Sequence, residues 1–271
     1  MTKQDLGTAG AVSLAEFLRR NKSVEVLDLT QATLTGDGSS GAAGEYDDRG
    51  IEALAVAFGV NSKLKSVKMF GNCIRDDSVK HLTKAILAND SITSLNLGYN
   101  DFTVEGVKAL AQAAAGNDTL LELAVGAGKI RVQEVKGGVQ SKRKPGHLNL
   151  KNQTLGPLSA LVVAQLLKAN KTATSIDLSH NSLRKEGTRA LCEVMEGMFQ
   201  LAEINISSNE IYPDGGESMA ALVEKCAKLS VLKVAENNLT NWGQSCAPLE
   251  SIVANALRTD TLKVLHLQGN V

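Results

Sequence analysis

The segment Val125-Gly126-Ala127-Gly128-Lys129 comes nearest in this chain to a motif that binds phosphate. A phosphate-binding loop needs a wider glycine spacing and a Ser or Thr after the lysine, and this segment has neither. The sequence also lacks a G-x-S-x-G nucleophile elbow, an H-E-x-x-H motif and any paired Cys/His spacing. We therefore predict a protein without enzymatic activity, catalytic residues, cofactor or metal site.

The remaining residues that could carry chemistry are spread over distant repeats of the sequence. Asp28 and Asp177 occupy equivalent positions of two repeats that lie far apart, so they do not form an acid/base pair. His147, His180 and His266 also fall in separate repeats, which argues against a shared metal ion. The positions of these side chains therefore depend on the strands and helices that carry them.

A segment of the form L-x-x-L-x-L-x-x-N recurs along almost the whole chain, with Ile, Val or Ala sometimes replacing Leu. A period of this length decides the fold class. Five of the eight intervals are 28 residues, so the other intervals mark local insertions or replacements. The repeats start at Val24, Leu64, Ile92, Leu120, Pro145, Ala173, Leu201, Leu229 and Leu262.

Each regular repeat divides into two parts with different hydrophobic periods. The first part alternates, as at Leu95 and Leu97, which predicts a short strand with one buried face. The second part has apolar residues at helical spacing, as at Val107, Leu110 and Ala111, which predicts a packed α-helix. The repeat is therefore a strand followed by a helix.

This pattern resembles the leucine-rich repeats of the ribonuclease-inhibitor type. The resemblance implies an α/β fold, a right-handed curved solenoid with a parallel sheet on the concave face and helices on the convex face. It covers essentially the whole chain, so we predict a single domain over residues 1–271.

The asparagine that ends each segment is expected to bond to backbone groups of the turn after the strand, and stacked copies can form a ladder. Ala32, Gly128 and Gln153 break the pattern, so the ladder should be weakest there. Several N-x-[S/T] sequons, such as those at Asn89 and Asn170, fall between helix and strand and are generated by the repeat, so they do not indicate secretion.

Both ends of the chain depart from the regular repeat. Residues 1–23 match the helical half of a repeat without its strand, and the last strand ends at Asn270 and Val271 without a following helix. A terminal strand is a pairing edge. We consider two interpretations: a segment of a longer protein, and a chain that associates through its uncapped C-terminal strand.

Two insertions interrupt the period. Residues 36–50 are rich in Gly, Ser and acidic residues and predict a mobile loop, since the acidic residues lack the spacing of a calcium loop. Residues 126–146 replace a helix, and the alternation around Gly137-Gly138 predicts a β-hairpin. This hairpin is either a basic docking element or a solvated surface feature. Its basic residues are Lys129, Arg131, Lys142, Arg143 and Lys144.

The concave face is predicted from the strand residues that alternate with the buried ones. It is polar, of mixed charge and poor in aromatic residues, which suits a protein interface. The candidate partner-binding residues on it are Lys68, Phe70, Asn96, Tyr99, Glu122, His147, Lys151, Asp177, His180, Glu203, Lys233 and His266.

The chain carries 29 basic and 29 acidic side chains, so its net charge gives no reason to expect nucleic acid or an anionic membrane as a partner. No apolar run reaches the length of a membrane span. The four scattered cysteines are typical of reduced, mostly buried thiols in an intracellular protein. We predict a cytoplasmic location, with a nuclear or cytoskeletal one as alternatives.

The resemblance favours a non-enzymatic scaffold that binds a partner protein, because this repeat type serves protein binding in ribonuclease inhibitor, cytosolic immune receptors and tropomodulins. A regulator of a small GTPase is one alternative, since the Ran GTPase-activating proteins have similar repeats and the long first insertion contains Arg49. A structural subunit of a cytoskeletal or axonemal assembly is another, suggested by the uncapped last strand.

Overall fold

The computed structural model describes residues 6–35, 46–138 and 144–270 of the chain. The chain divides into two compact units, which we call unit 1 (Met1–Val132) and unit 2 (Gln133–Val271). The division falls inside the interrupted fourth repeat. A single domain over the whole chain stays a prediction. Among the described residues, no helix is long and apolar enough to cross a membrane.

Unit 1 alternates short strands with helices, and its sheet has the order β1-β2-β3-β4-β5. The strands are β1 Val26–Asp28, β2 Ser66–Lys68, β3 Ser94–Asn96, β4 Glu122–Ala124 and β5 Ile130–Arg131. The first four are parallel to one another. Neighbouring helices pack together in chain order. They are α1 Gly7–Arg20, α2 Arg49–Val60, α3 Val79–Ala88, which a 3-10 turn at Asp76–Ser78 precedes, and α4 Val104–Gly116.

Unit 2 has the same alternation, and its five strands are all parallel in the order β6 to β10. The strands are β6 His147–Asn149, β7 Ser175–Asp177, β8 Glu203–Asn205, β9 Val231–Lys233 and β10 Val264–His266. A one-turn helix, α5 Val132–Val135, lies at the division between the units. The long helices are α6 Gly156–Leu167, α7 Arg184–Met195, α8 Tyr212–Lys225 and α9 Ala247–Arg258. Each of the nine parallel strands begins two residues after a predicted repeat start.

The alternation of the sequence explains which strand residues face the core. Leu95 lies in the middle of β3 and is buried, and Leu97 directly after the strand is fully buried. Ser94 and Asn96 point to the opposite side of the sheet and stay half-exposed. Each buried leucine stabilises the fold by about 1.5–3 kcal/mol relative to an exposed one. We call the side of each sheet that faces away from the core its open face.

The asparagine ladder forms as expected. The Oδ1 of Asn100 accepts hydrogen bonds from the N–H of Asn72 at 2.9 Å and from the N–H of Ile74 at 3.1 Å. Its Nδ2 donates to the carbonyls of Met69 and Leu97. Equivalent bonds join the turns of successive repeats at Asn72, Asn181, Asn209, Asn237 and Asn270.

Two of the predicted breaks weaken the ladder only in part. The backbone N–H of Ala32 donates to Asn72, and the backbone N–H of Gln153 donates to Asn181. At both positions the backbone N–H therefore still donates to the asparagine of the following repeat. They lack only the buried side-chain amide that would hold the preceding turn.

A second set of asparagines closes the turn between helix and strand in several of the repeats. The Nδ2 of Asn89 donates to the carbonyls of Phe58 at 2.7 Å and Asn61 at 3.0 Å. Its Oδ1 accepts from the N–H groups of Ser91 and Ile92. Asn61, Asn117 and Asn170 make corresponding bonds. Three of the sequon asparagines, Asn89, Asn117 and Asn170, are buried by this role and have no room for a glycan.

The predicted hairpin around Gly137-Gly138 is wrong in its first arm. Ile130–Arg131 pairs antiparallel with β4, and the chain then turns into the short helix α5. Val132 and Val135 are both buried, so a helical turn hides the two apolar side chains that alternation had assigned to a strand. The second arm, at residues 139–143, lies outside the described residues.

The first insertion is described only at its end, since residues 36–45 lie outside the described part. Arg49 and Gly50, predicted as loop, are the first residues of α2. A Cβ on Gly50 would lie 2.7 Å from the carbonyl oxygen of Leu34, so glycine lets the helix start against the preceding turn. The Tyr46 hydroxyl lies 2.7 Å from the Ser78 Oγ and fixes the segment before the helix.

Candidate partner-binding surface

A row of polar side chains crosses the open face of unit 2. The sheet register places His147, Ser175 and Glu203 side by side on β6, β7 and β8. The Ser175 Oγ lies 3.0 Å from the His147 Nδ1 and 3.1 Å from the Glu203 Oε2. The Lys233 Nζ donates to the Glu203 Oε1 at 3.2 Å. We call these four residues the unit 2 row.

The unit 2 row contains Ser, His and a carboxylate, but in an order that does not activate the serine. An ionised carboxylate only accepts hydrogen bonds, so the Ser175 hydroxyl donates to Glu203. In a catalytic triad the histidine lies between the carboxylate and the serine and takes the serine proton. Here the serine lies in the middle, and His147 donates to it from Nδ1. The arrangement orients side chains for binding.

Charge holds Glu203 in its ionised form. Partial burial alone would raise the pKa of this carboxyl, but the hydrogen bonds from Lys233 and Ser175 and the nearby Lys144 lower it below the ordinary value. The Lys233–Glu203 pair is only about one-third exposed on each side chain. The centre of the row is therefore a carboxylate that is fixed in place and already desolvated in part.

The open face of unit 1 repeats part of this arrangement. The Ser94 Oγ donates to the Glu122 Oε2 at 3.1 Å, and the Lys129 Nζ donates to the same oxygen at 3.2 Å. The bond from Lys129 is the main cause that lowers the pKa of Glu122. Lys68 pairs with Asp28 at 2.9 Å and lowers the pKa of Asp28 to about 2. Three of the predicted charged residues, Lys68, Glu122 and Lys129, thus hold fixed positions.

The two predicted aromatic anchors lie against each other in unit 1. The ring centroids of Phe70 and Tyr99 are 4.8 Å apart at an interplanar angle of 41°. Gly98 lies directly beside the two rings and leaves no room for a side chain. A Cβ there would lie 2.4 Å from the Gly126 carbonyl oxygen and 3.3 Å from the Phe70 ring. Tyr99 keeps 64% of its surface exposed, which leaves one ring open to a partner.

The remaining predicted residues of the open faces are positioned one by one. Asn96 accepts a bond from the Gly98 N–H, and Asp177 accepts bonds from the N–H and hydroxyl of Ser179. These hydrogen bonds stabilise the backbone where the chain leaves each strand. The exposed residues at the ends of the strands and in the turns are Lys151, His180 and His266.

The described basic residues of the second insertion are divided between the two units. Lys129 points to Glu122 on the open face, and Arg131 is an exposed residue of β5. Lys144 is exposed and acts on Glu203 in unit 2. Lys142 and Arg143 lie outside the described residues.

In the part of the chain that the structure describes, no group of three or more His, Cys, Asp and Glu residues could hold a metal ion. Cys192 and Cys226 are buried, but Cys73 and Cys246 are exposed, so the prediction of mostly buried thiols holds for only half of them.

Among the described residues of unit 2, three exposed aromatic side chains are absent from the sequence-based prediction: Phe199, Tyr212 and Trp242. Trp242 is 75% exposed in the turn between β9 and α9, and Tyr212 is 42% exposed at the first position of α8. The last interval of 33 residues, five more than the regular repeat, marks an enlarged turn there. None of these residues lies on a strand, so the alternation along the strands does not indicate them.

A sequence model described as "Leucine Rich repeat" matches residues 60–82 and 88–111. Each matched stretch holds one strand of unit 1 and part or all of the helix that follows it. The alternating strands and α-helices continue this pattern through both units. The chain thus contains leucine-rich repeats at residues 60–82 and 88–111, each built of a strand followed by a helix.

Comparison with solved structures finds further proteins of similar fold. The tropomodulin C-terminal domain of Caenorhabditis elegans is 15% identical, covers 69% of this chain and 91% of its own, and has a TM-score of 0.41. The leiomodin-1 actin-binding site 2 is 14% identical, with coverages of 80% and 91% and a TM-score of 0.31. The leucine-rich repeat protein LegL7 of Legionella pneumophila is 18% identical, with coverages of 96% and 88% and a TM-score of 0.36. No curated protein sequence matches the chain.

Proposed function

We propose that this protein is a non-enzymatic scaffold that binds a partner protein through the open faces of its sheets and the adjoining irregular turns. The observation that carries the proposal is the unit 2 row, in which His147, Ser175, Glu203 and Lys233 hold one another across four strands. Side chains that are already ordered lose little conformational entropy on binding. A mixed-charge polar surface of this kind is also typical of interfaces between separately folded proteins.

The aromatic pair of unit 1 supports the same proposal. Tyr99 and Phe70 offer a large ring surface in fixed contact, beside the backbone of Gly98, where no side chain would fit. Tyrosine is enriched among the residues that contribute most to binding energy. A partner side chain that packs on Tyr99 would bury its exposed ring.

The test is affinity capture from a cell extract of the native source, followed by mass spectrometry, with a charge-reversed variant as comparison. Asp177→Lys combined with Glu203→Lys puts two cations on the open face of unit 2. We expect the partner recovered with the unaltered protein to be lost, and circular dichroism at the temperature of the assay establishes that the double variant remains folded. Glu193→Lys on α7, whose carboxylate pairs with Arg189 on the helical side, is the matched control. Undiminished capture by the double variant would remove the unit 2 face as the site.

Regulation of a small GTPase stays a second hypothesis. Arg49, the arginine that motivates it, is exposed but forms two hydrogen bonds to Asp47, from Nε at 2.9 Å and from Nη2 at 2.7 Å. An arginine finger would have to exchange these bonds for phosphate oxygens. Measurement of GTP hydrolysis by a panel of small GTPases with and without the protein decides this hypothesis, and unchanged rates eliminate it.

A role as a subunit of a cytoskeletal or axonemal assembly is the other alternative. One solved structure of similar fold is named as an actin-binding site of leiomodin-1. Its low identity does not extend that property to this chain, but it makes actin the first cytoskeletal protein to test. Sedimentation of the purified protein with actin filaments at graded filament concentrations would support this role, and its absence from the pellet would argue against actin as the partner.

A further inference from the structure

The turn between α7 and β8 departs from the repeat at two neighbouring positions. In three other turns a buried asparagine is followed by a charged residue, at Asn89-Asp90, Asn117-Asp118 and Asn170-Lys171. Met198 and Phe199 occupy the same two places before β8. Met198 is buried, but Phe199 is 84% exposed, the largest exposed fraction among the large apolar side chains that the structure describes. An exposed ring gains nothing from burial, so folding does not account for a phenylalanine at this position.

A pocket of about 310 Å³ lies beside Phe199, between the C-terminal ends of α6 and α7. Phe199 lines it together with Leu167 and Met198, which are buried, and Val194, which is half-buried. Ligand pockets in proteins run from about 300 to 1,000 Å³, so this one is at the small end and suits a single side chain of a larger partner. We call it the Phe199 pocket.

Two lysines line the same pocket without a carboxylate partner. The Lys168 Nζ donates to the Gln165 Oε1 at 2.8 Å, and the Lys171 Nζ donates to the Lys168 carbonyl at 3.4 Å. Neither lysine forms an ion pair with another residue in the described part of the chain. An ammonium group carries three N–H donors, so each lysine keeps two donors for a ligand.

The acidic side chain of the lining does not neutralise these lysines. The Oε1 of Glu193 accepts from the Arg189 Nε at 3.0 Å on the same helix. The lining therefore combines apolar walls with an excess of positive charge. The whole chain carries 29 basic and 29 acidic side chains, so this excess is a local feature of the pocket.

We propose that the Phe199 pocket binds an acidic segment of a partner protein that carries one apolar side chain between its carboxylates. The apolar side chain packs against Phe199 and Val194 and removes an exposed ring from water. The flanking carboxylates pair with Lys168 and Lys171 through hydrogen bonds that the charges strengthen. The pocket contains no residue of the open face, so this binding goes beyond the function proposed above and does not depend on it.

The test uses a fluorescein-labelled pentapeptide, Asp-Asp-Leu-Asp-Asp, titrated with the whole protein at physiological ionic strength. We expect a saturable rise of the fluorescence anisotropy. The peptides Asp-Asp-Ser-Asp-Asp, which lacks the apolar side chain, and Lys-Lys-Leu-Lys-Lys, which reverses the charge, should bind at least about tenfold more weakly. No saturable binding of the leucine peptide up to millimolar concentration, or equal binding of the serine peptide, would overturn the proposal.

A pair of aromatic variants connects the binding to the pocket. Phe199→Ala should weaken the affinity for the acidic leucine peptide at least about tenfold, because the apolar contact is lost. Trp242→Ala removes another highly exposed aromatic residue of unit 2, outside the lining, and should leave the affinity unchanged. Circular dichroism checks that both variants are folded. Equal affinity of the Phe199 variant and the unaltered protein would contradict the proposal.

Charge variants test the role of the two lysines. Lys168→Glu combined with Lys171→Glu should weaken the affinity at least about tenfold, whereas Glu193→Gln removes the lining carboxylate and should strengthen it about twofold or more. Lys228→Glu combined with Lys263→Glu changes two exposed lysines outside the lining and is the matched control. An equal loss in the control, or a loss with Glu193→Gln, would contradict the charge assignment.

Two further comparisons separate this proposal from its rivals. A fatty acid such as decanoate also combines an apolar group with a carboxylate, and its binding without binding of the leucine peptide would overturn the assignment to a protein segment. The Asp177→Lys, Glu203→Lys protein should bind the leucine peptide as the unaltered protein does, because its substitutions lie on the open face. Failure of the Phe199 pocket and failure of the open-face proposal are thus seen in different measurements.

Discussion

Asn181 shows how much of this structure depends on single side chains. Its Oδ1 accepts from the backbone of the preceding repeat, and its Nδ2 donates to the carbonyls of Leu150 and Leu178, all in a buried turn. Each backbone group left unsatisfied in such a place costs about 1–3 kcal/mol. A small amide thus stabilises the turn that positions the strand ends, including the residues of the open face.

We predict that Asn181→Ala lowers the free energy of unfolding by about 2 kcal/mol or more, because buried N–H and carbonyl groups lose their partners. Gln153→Ala is the matched control, since it removes an amide at the same repeat position that makes only one bond, to an exposed carbonyl. We expect a change below about 0.5 kcal/mol there. Urea unfolding followed by circular dichroism measures the free energy of unfolding of both variants. Equal losses would show that the asparagine ladder does not stabilise the fold.

The cysteines give a second prediction at the residue scale. Burial raises the pKa of the Cys226 thiol to about 11 and raises that of Cys192 further. Because the thiolate is the reactive form, both remain unreactive in the folded protein near pH 8. A chromogenic disulfide reagent should therefore label two thiols, Cys73 and Cys246, in the native protein and four in urea. Rapid labelling of all four in the native state would contradict the buried positions.

At the scale of elements, the repeat period predicts the strands and long helices because each is specified by local periodicity. The strand at Ser94–Asn96 and the helix at Val104–Gly116 fall where alternation and helical spacing place them. Residues 132–135 form a helical turn, because Val132 and Val135 are three residues apart and one turn buries both side chains. Short apolar segments do not distinguish strand from helix by periodicity alone.

The candidate partner-binding surface can be predicted from the sequence to a similar extent. Alternation indicates that Glu203 and Lys233 face the same side of a sheet, but it does not show that they bond to each other and to Ser175. Those bonds depend on the register between strands. Trp242 is missed because no period governs an enlarged turn, and only the interval of 33 residues marks it.

The strand core yields a prediction for the element that follows β3. Leu97→Ala should destabilise the protein by about 2–5 kcal/mol, because the side chain is fully buried and its removal leaves a cavity. Leu121→Ala, at a leucine that is half exposed beside β4, is the control and should cost no more than about 0.5 kcal/mol. Thermal and urea unfolding measure the loss of stability in both variants. Equal losses would contradict the buried position of Leu97.

For the molecule as a whole, the two units offer different surfaces on the same repeat scaffold. Unit 1 presents the Phe70–Tyr99 pair, whereas unit 2 presents the His147–Ser175–Glu203–Lys233 row on its sheet and the Trp242 loop at its rim. The regular residues specify the scaffold. The departures from the repeat supply the features by which this chain differs from other repeats of its class.

The claim that a partner protein binds the open face is tested most directly by site-specific photo-cross-linking. A benzoylphenylalanine in place of Lys151 lies in the exposed turn that follows β6, next to the open face of unit 2, and one in place of Arg189 lies on the helical side of the same unit. After irradiation in a cell extract, we expect one covalent protein adduct from position 151, absent from position 189 and lost in the Asp177→Lys, Glu203→Lys background. An adduct from position 189 alone, or one at 151 that survives the charge reversal, would contradict it.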